Sequence, residues 1–310
     1  MKNLLLGNGI NIQFGGVAYS SSFIMKRIKY QAKLDRYDEL FGNKLTGTEI
    51  VNLLENFVEE ANNIREGVYD DLATDSDTLD ALKDFKYRYN TTIKNSHDIM
   101  LEDWFFVVHM FFLKNFDLEE HRISAMQGFE HLILDAIYNS GKIQEIYKEM
   151  KKYKKVKRFF NSFDNIYTLN YDNNIENLTQ KKVYHLHGDF SVFANSENES
   201  NVLGYIRKKA GETVVLDNMK HCFCNALLNY SGKLKYKVIT DSHRLIVEAD
   251  NFADRYANDI IFKQELERLK EEKPLEYSMI MTKISHPELN MATEYYFDSF
   301  SKIEGELTII

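Results

Sequence analysis

Three short apolar segments of the chain each end in small or polar residues, a pattern typical of buried strands that lead into a ligand site. Strands of a parallel sheet are buried on both faces and therefore form nearly continuous apolar runs. In open α/β sheets, ligands bind at the carboxyl ends of the strands. Three such ends predict one site, and the inferred ligand is a nucleotide. The segments are Leu4 to Asn11, Ile166 to Asp172 and Val183 to Asp189.

Between the first and second segments, from about residue 20 to residue 160, the apolar spacing is that of α-helices. Apolar residues recur at intervals of three and four between Ile50 and Ala61, which places them on one helix face. Thr48 is a suitable N-cap for this helix. Further helices are predicted at Met100–Asn115 and Ser124–Asn139, and a loop with a shorter helix at Gly67–Lys94.

The second half of the chain alternates strand and helix signals. Strands at 166–169 and 183–186 flank a short helix at 172–180, for which Asp172 is a suitable cap. Glu306–Ile310 predicts a strand at which this chain stops, so we expect a further domain after residue 310. Other elements are predicted as helices at 217–229, 250–271 and 289–303, a strand at Tyr236–Ile239 and a polar loop at 190–215.

Composition limits the class of protein. The 310 residues are 44% hydrophobic and 28% charged, which predicts a globular chain with a sizeable core. The formal net charge of −8 disfavours a broad nucleic-acid surface, because such surfaces need clustered positive charge. The basic run Lys151–Arg158 is either the solvated end of a helix or a phosphate-contacting patch.

Cysteine usage and apolar runs favour a soluble, cytoplasmic protein without membrane contact. Cys222 and Cys224 are too few for a disulfide framework, and their spacing disfavours a mutual bridge. The first residues have neither the length nor the cleavage pattern of a signal peptide. The apolar stretch Trp104–Leu113 is interrupted by His109 and is far shorter than a membrane span.

Each motif also has a purely structural interpretation. Gly7-x-Gly9 is either the front half of a dinucleotide fingerprint, whose third glycine is replaced here by Ile12, or a plain strand-turn-helix. Asn170 and Asp172 either contact a ligand or cap the helix that follows.

The two histidines of the third segment, His185 and His187, are predicted on one face of a strand, because side chains alternate. The alternative interpretation is a core His185 followed by a turn at Gly188. His221, Cys222 and Cys224 fit no usual zinc-ligand spacing, so no metal site is predicted.

In combination, the motifs resemble those of the sirtuin-like (SIR2) superfamily. In that family a Gly-Ala-Gly-type turn follows the first strand, a Thr-Gln-Asn-x-Asp segment ends a middle strand, and a His-Gly pair ends the next. The form here is most similar to the bacterial SIR2-like domains of antiphage defence systems, many of which destroy NAD. The matching residues are Gly7-Asn8-Gly9, Thr168-Leu169-Asn170-Tyr171-Asp172 and Leu186-His187-Gly188-Asp189.

The resemblance implies an α/β fold with a Rossmann-like parallel sheet. This core is expected from residues 1–20 and 160–310, with a helical insertion subdomain at 21–159. The resemblance also implies that His187 is the catalytic histidine, that Asn170 is its partner, and that Asp172 orients the nicotinamide end or the loop that holds it. NAD contacts are expected from Gly7, Asn8 and Gly9 at the pyrophosphate, and from Asn11, Thr168 and Asp189.

The expected reaction is cleavage of the nicotinamide–ribose bond, which builds positive charge on the ribose as in glycoside hydrolysis. Asn170 can bond a ribose hydroxyl or a water without adding charge, and His187 is of the residue type that titrates near neutrality and can act as a general base. Two cysteines cannot form the four-cysteine zinc module of the protein-deacylating sirtuins, so water is the expected acceptor.

The expected function is therefore hydrolysis of NAD⁺ to nicotinamide and ADP-ribose, in bacterial antiphage defence by NAD depletion. NAD is the substrate, and no metal cofactor is expected. Such an activity requires control, so we expect homo-oligomerisation or a regulatory sensor domain or partner, with the helical insertion as a lid or an oligomer interface. The alternatives are a non-catalytic sensor of NAD or ADP-ribose, and a structural assembly domain in which the glycines and caps are architectural.

Overall fold

A computed structural model describes residues 1–34, 38, 41, 45–190, 201–202, 205–206 and 217–310, so most of the predicted loop at 190–215 lies outside the described residues. The strands are β1 (Lys2–Leu6), β2 (Asn165–Thr168), β3 (Tyr184–His185), β4 (Asn201–Val202), β5 (Tyr205–Ile206) and β6 (Glu306–Ile309). The first helices are α1 (Gly9–Gly15), α2 (Ser21–Gln31), α3 (Gly47–Glu66), α4 (Ser76–Arg88), α5 (Asp103–Lys114), α6 (Glu119–Tyr138) and α7 (Tyr147–Met150). The later helices are α8 (Lys154–Asn161), α9 (Asn174–Thr179), α10 (Gly232–Ala249), α11 (Phe252–Asn258), α12 (Ile260–Glu272), α13 (Pro274–Ser285) and α14 (Phe297–Ser301).

Strand β1 lies inside a four-stranded sheet with the order β3-β2-β1-β6. Every pair in this sheet is parallel. Leu4 and Leu6 are fully buried on one face, and on the other face Asn3 is buried and Leu5 is half-buried, as expected for a strand that is covered on both faces. The prediction of an α/β protein with a parallel sheet is confirmed, and so are the strands predicted near residues 3–6, 166–169 and 306–310.

Contacts along the chain divide it into two compact units. The first, here called the sheet unit, comprises residues 1–7, 158–226 and 238–310 and contains the parallel sheet. The second, the helical unit, comprises residues 8–157 and 227–237.

These bounds differ from the predicted ones, which placed residues 8–20 and 227–237 with the sheet. Residues 8–20 group with the helices because α1 packs against α7 and the short helical turn Val17–Tyr19 packs against α2. The rings of Phe14 and Tyr153, for example, lie 6.1 Å apart.

Helix α3 begins two residues earlier than the predicted cap implies. The N-cap is Thr46 and not Thr48, because the Thr46 hydroxyl accepts a bond from the Glu49 backbone N–H. The Glu49 carboxylate in turn accepts from the Thr46 backbone N–H at 2.7 Å, which completes a capping box. These bonds lower the pKa of Glu49.

The segment 227–237 is fixed within the helical unit by a buried carboxylate at the start of α5. Asp103 is fully buried and accepts bonds from Arg88 Nη2 at 2.7 Å and Tyr89 Oη at 2.7 Å. The Ser231 hydroxyl also donates to Asp103. Burial and the nearby Asp103 charge raise the pKa of Tyr89, so this phenol stays a donor. Three donors satisfy the carboxylate, which compensates for its removal from water.

We expect Asp103→Ala to destabilise the protein by about 3 kcal/mol, because removing one partner of a buried charge pair leaves the other uncompensated. Asp80→Ala is the control, since Asp80 lies in α4 in an exposed pair 3.7 Å from Lys83. Such a pair contributes about 0–1 kcal/mol. Urea unfolding measures both variants, and equal losses would show that the Asp103 network does not anchor this unit.

Several predictions for the second half of the chain are wrong. The predicted strand Tyr236–Ile239 lies inside α10, where Lys235 and Ile239 are buried at a spacing of four residues. The alternation of lysine with apolar residues from 233 to 238 resembles a strand period, but burial follows the helix period.

The predicted helices of this region have different bounds. The helix predicted at 250–271 is divided into α11 and α12, that at 289–303 shrinks to α14, and the one at 217–229 is only a 3₁₀ segment, Asp217–Phe223. Helix α13 was not predicted, although Pro274 at its first position is a known start signal.

An aromatic ladder in the sheet unit packs α14 onto the sheet. Tyr167 of β2 stacks on Tyr184 of β3 at 5.1 Å and meets Phe300 of α14 at 5.0 Å. Tyr184 also meets Tyr296 at 5.2 Å. Because α14 leads directly into β6, this ladder helps to place the fourth strand.

Two predictions on surfaces can be compared with the structure. In the part of the chain that is described, every helix is too short or too polar to cross a membrane. The residues of the basic run Lys151–Arg158 are exposed apart from the half-buried Val156, as expected for a solvated segment. A contact of this run with phosphate stays a prediction.

Candidate functional site

The parallel pairing of β1, β2 and β3 brings three of the predicted strand ends to one edge of the sheet. Leu6 lies opposite Thr168, and Thr168 lies opposite His185. Hydrogen bonds continue past the strands, from Leu169 N to Leu6 O and from Leu186 N to Thr168 O, each 2.9 Å. The residues that follow each strand therefore form one cluster within the sheet unit, here called the strand-end cluster: Gly7, Asn170, Asp172, His187 and Asp189.

Asn170 is the most constrained member of the strand-end cluster. Its side-chain Nδ2 donates to the Gly7 carbonyl at 3.2 Å, although the two residues are 163 positions apart. Its backbone N–H donates to Thr168 Oγ1 at 3.0 Å. Asn170 is 8% exposed and Thr168 is buried. The structure thus joins Gly7, Thr168 and Asn170, and their expected roles in one NAD site stay a prediction.

His185 holds the Asn170 peptide from the neighbouring strand. Its Nδ1 lies 2.9 Å from the Asn170 carbonyl, which can only accept, so Nδ1 carries a proton. Its Nε2 lies 2.6 Å from Glu176 Oε1 in α9. Burial opposes the charged ring, but the hydrogen bond and charge of Glu176 outweigh it and raise the pKa of His185.

Asp172 has a local structural role. Its Oδ1 accepts from the Asn174 backbone N–H at 3.1 Å and from Asn174 Nδ2 at 2.5 Å, at the first residue of α9. The carboxylate is buried. It therefore stabilises the start of this helix, although the formal N-cap is Asn173 and not the predicted Asp172. A contact of Asp172 with nicotinamide stays a prediction.

The expectation that His185 and His187 share one face of a strand is wrong, because β3 ends at His185. His187 lies half-buried in the turn that follows. This turn is held by Asn225, whose Oδ1 accepts from the Asp189 backbone N–H at 2.9 Å. Tyr295 Oη in turn donates to the Asn225 carbonyl at 3.2 Å.

Gly188 is required by this turn for two reasons. Its φ of +77° lies in the left-handed region, and an added Cβ would lie 2.2 Å from the Asn225 carbonyl oxygen.

We expect Gly188→Ala to destabilise the sheet unit by about 1–3 kcal/mol, since the strained backbone and the clash with a main-chain atom both oppose it. Gly7→Ala is the matched control, because an added Cβ there meets no atom within 4 Å. Thermal unfolding of the two variants provides the comparison. A Gly188→Ala protein as stable as the control would mean that the turn differs from the one described.

The two glycines of the first motif are not required by the chain's own packing. Gly7 in the sheet unit and Gly9 in the helical unit have open space where a Cβ would be, and neither has a positive φ. The expected tight turn therefore does not depend on glycine. Glycine at these positions instead leaves the backbone uncovered, which is what close approach of a ligand needs.

The remaining residues of the first motif lie in the helical unit. Asn8 Nδ2 donates to the Tyr19 carbonyl at 2.8 Å, and Asn11 Nδ2 donates to Asn8 Oδ1 at 3.3 Å. Asn11 is 1% exposed. Both side chains thus bond within their own unit, and their expected contacts with NAD stay predictions.

Three residues of the strand-end region were not identified from the sequence: Glu176, Asn225 and Tyr295. Glu176 lies on the short helix that follows Asp172, so an acidic residue near a buried histidine could have been suspected. Asn225 lies outside regular secondary structure and has no signal in the pattern.

The fold and the cluster define an α/β protein with polar residues at the carboxyl edge of a parallel sheet. Comparisons with protein-family models, curated proteins and solved structures found no match to this chain.

Proposed function

We propose that this protein is an NAD⁺ hydrolase of the sirtuin-like type, which acts in bacterial antiphage defence by depleting NAD. The observation that carries the proposal is the bond from Asn170 Nδ2 to the Gly7 carbonyl, beside the His187 turn at the same sheet edge. The bond joins two of the three sequence motifs that resemble this family, and the parallel pairing of the strands brings the third to the same sheet edge.

The strand order supports a Rossmann-like interpretation of the sheet. When the four strands of this sheet are numbered in chain order, their spatial order is 3-2-1-4, which is how the classic doubly wound order 3-2-1-4-5-6 begins. The chain reverses direction across the sheet at β1, and ligands of such folds bind outside the carboxyl ends of the strands at this point. Gly7 follows β1 directly.

The proposed roles follow from the chemistry of the bond that breaks. Positive charge develops on the ribose as neutral nicotinamide leaves. Asn170 orients a ribose hydroxyl or the attacking water without adding charge. His187 in its neutral form takes a proton from that water or hydroxyl as a general base. Water is the acceptor, and NAD is consumed as the substrate.

We expect His187→Ala and Asn170→Ala to lower the rate of nicotinamide release from NAD by at least about 100-fold, the usual contribution of a positioned acid–base group. His286→Ala is the control, because His286 is an exposed histidine beside Glu288. Nicotinamide is quantified by chromatography, and the melting temperature shows that each variant is folded. Wild-type rates in both site variants would refute the residue assignment.

We expect Gly7→Ala to keep the wild-type stability but to lower NAD affinity at least about tenfold, because the added methyl group occupies space open to a ligand. Calorimetry in the His187→Ala background measures binding without consumption of NAD. Unchanged affinity would favour a structural role for this glycine.

A non-catalytic sensor of NAD or ADP-ribose is the second candidate. It is favoured by the bonds that already engage Asn170 and Asp172 within the sheet unit. NAD binding without nicotinamide release by the complete, activated protein would support it. Cytoplasmic location, homo-oligomerisation and a regulatory partner remain part of the leading proposal.

A further inference from the structure

The buried His185 and the half-buried Glu176 form an ion pair next to the strand-end cluster, and the proposed mechanism has no use for this pair. His185 is 5% exposed, and its Nε2 lies 2.6 Å from Glu176 Oε1. The other carboxylate oxygen, Glu176 Oε2, is buried and has no hydrogen-bond partner among the described residues. Among the described residues, His185 is the hydrogen-bond donor to this carboxylate. Loss of the ring's charge would therefore leave the half-buried Glu176 anion poorly compensated.

The ring also fixes the backbone that carries Asn170. With Nδ1–H donating to the Asn170 carbonyl and Nε2–H donating to Glu176, the imidazolium bridges β3, the end of β2 and α9. The Asn170 peptide is held from its other side by the bond to Thr168 Oγ1. The Asn170 amide, bonded to Gly7, is therefore at the end of a chain of fixed groups.

We propose that Glu176 and His185 act as a positioning pair, in which the His185 imidazolium holds the Asn170 peptide so that the Asn170 amide is aligned for reaction at the ribose. This inference rests on the proposed function. It assigns the two histidines different protonation states: His187 acts as a neutral base, and His185 acts as a cation.

A bell-shaped dependence of kcat on pH follows from these opposite requirements. On the acid side, activity rises as His187 loses its proton. On the alkaline side, activity falls as His185 loses its proton, because neutral His185 cannot donate to both the Asn170 carbonyl and Glu176. The charged groups that face His185 are Glu176 from α9 and Asp189 from the turn after β3, and both raise its pKa above 6.5.

Glu176→Gln is the test variant, since it keeps the shape of the side chain but removes the charge. Burial of the ring then lowers the pKa of His185 with less opposition, so the alkaline limb of the kcat profile should move to lower pH while the acid limb stays in place. We expect kcat at neutral pH to fall about tenfold and KM to change less than threefold. Glu288→Gln, beside the exposed His286, should move neither limb.

A second measurement does not depend on catalysis. Nitrogen NMR of histidine-labelled wild-type protein should show both ring nitrogens of His185 protonated at neutral pH, and Glu176→Gln should lose this state at lower pH than the wild type. A single protonated nitrogen at neutral pH overturns the proposal, and so does an alkaline limb that does not move in Glu176→Gln. A doubly protonated His185 in a complete, activated wild-type protein that releases no nicotinamide would instead refute the proposed function and leave the pair intact.

Discussion

Parallel pairing of β1 with β2 and β6 is the constraint on which the rest of the molecule depends. Parallel neighbours need long crossover connections, because the chain must return to the same end of the sheet. The connection from β1 to β2 contains most of the helical unit, and residues 227–237 complete that unit. Pairing of β1 with β2 and of β2 with β3 fixes the register in which Leu6, Thr168 and His185 lie side by side. The strand-end cluster at the carboxyl edge is thus a consequence of topology before any particular side chain is considered.

The sheet was predictable because its strands are marked twice, by apolar runs and by the polar residues that end them. Strand β6 was found from its apolar residues alone. Helices were harder to place where local signals compete. Thr46 and Thr48 both suit an N-cap, and only the reciprocal bond with Glu49 decides between them. The stretch 233–238 alternates like a strand, yet it lies in α10, because burial of Lys235 and Ile239 follows the helical period.

For the candidate site, the sequence predicted which residues lie near one another better than it predicted their individual contacts. Asn170 and Gly7 were placed together correctly, since both follow neighbouring strands. Asp172 contacts Asn174, which agrees with the structural interpretation of that residue. The hydrogen bonds of Asn225 and Tyr295 that hold the turn after β3 could not be predicted. These residues come from later segments of the chain, and no local sequence pattern indicates that those segments lie near the sheet. The three glycines differ in whether the fold requires them. Gly188 is required by the fold, whereas Gly7 and Gly9 are not.

In the proposed mechanism, the two histidines of the third segment have different protonation states although they lie close together in the sequence. They are separated by a single residue, but the strand ends between them. His185 is enclosed and bonded to a carboxylate and a carbonyl, both of which accept hydrogen bonds and favour the charged ring. His187 lies in the half-buried turn beyond, away from regular pairing. Neighbouring titratable groups whose environments separate their pKa values are a usual means of dividing acid–base roles within an active site. The position at which β3 ends is therefore as important for the proposed chemistry as the fact that both side chains are histidines.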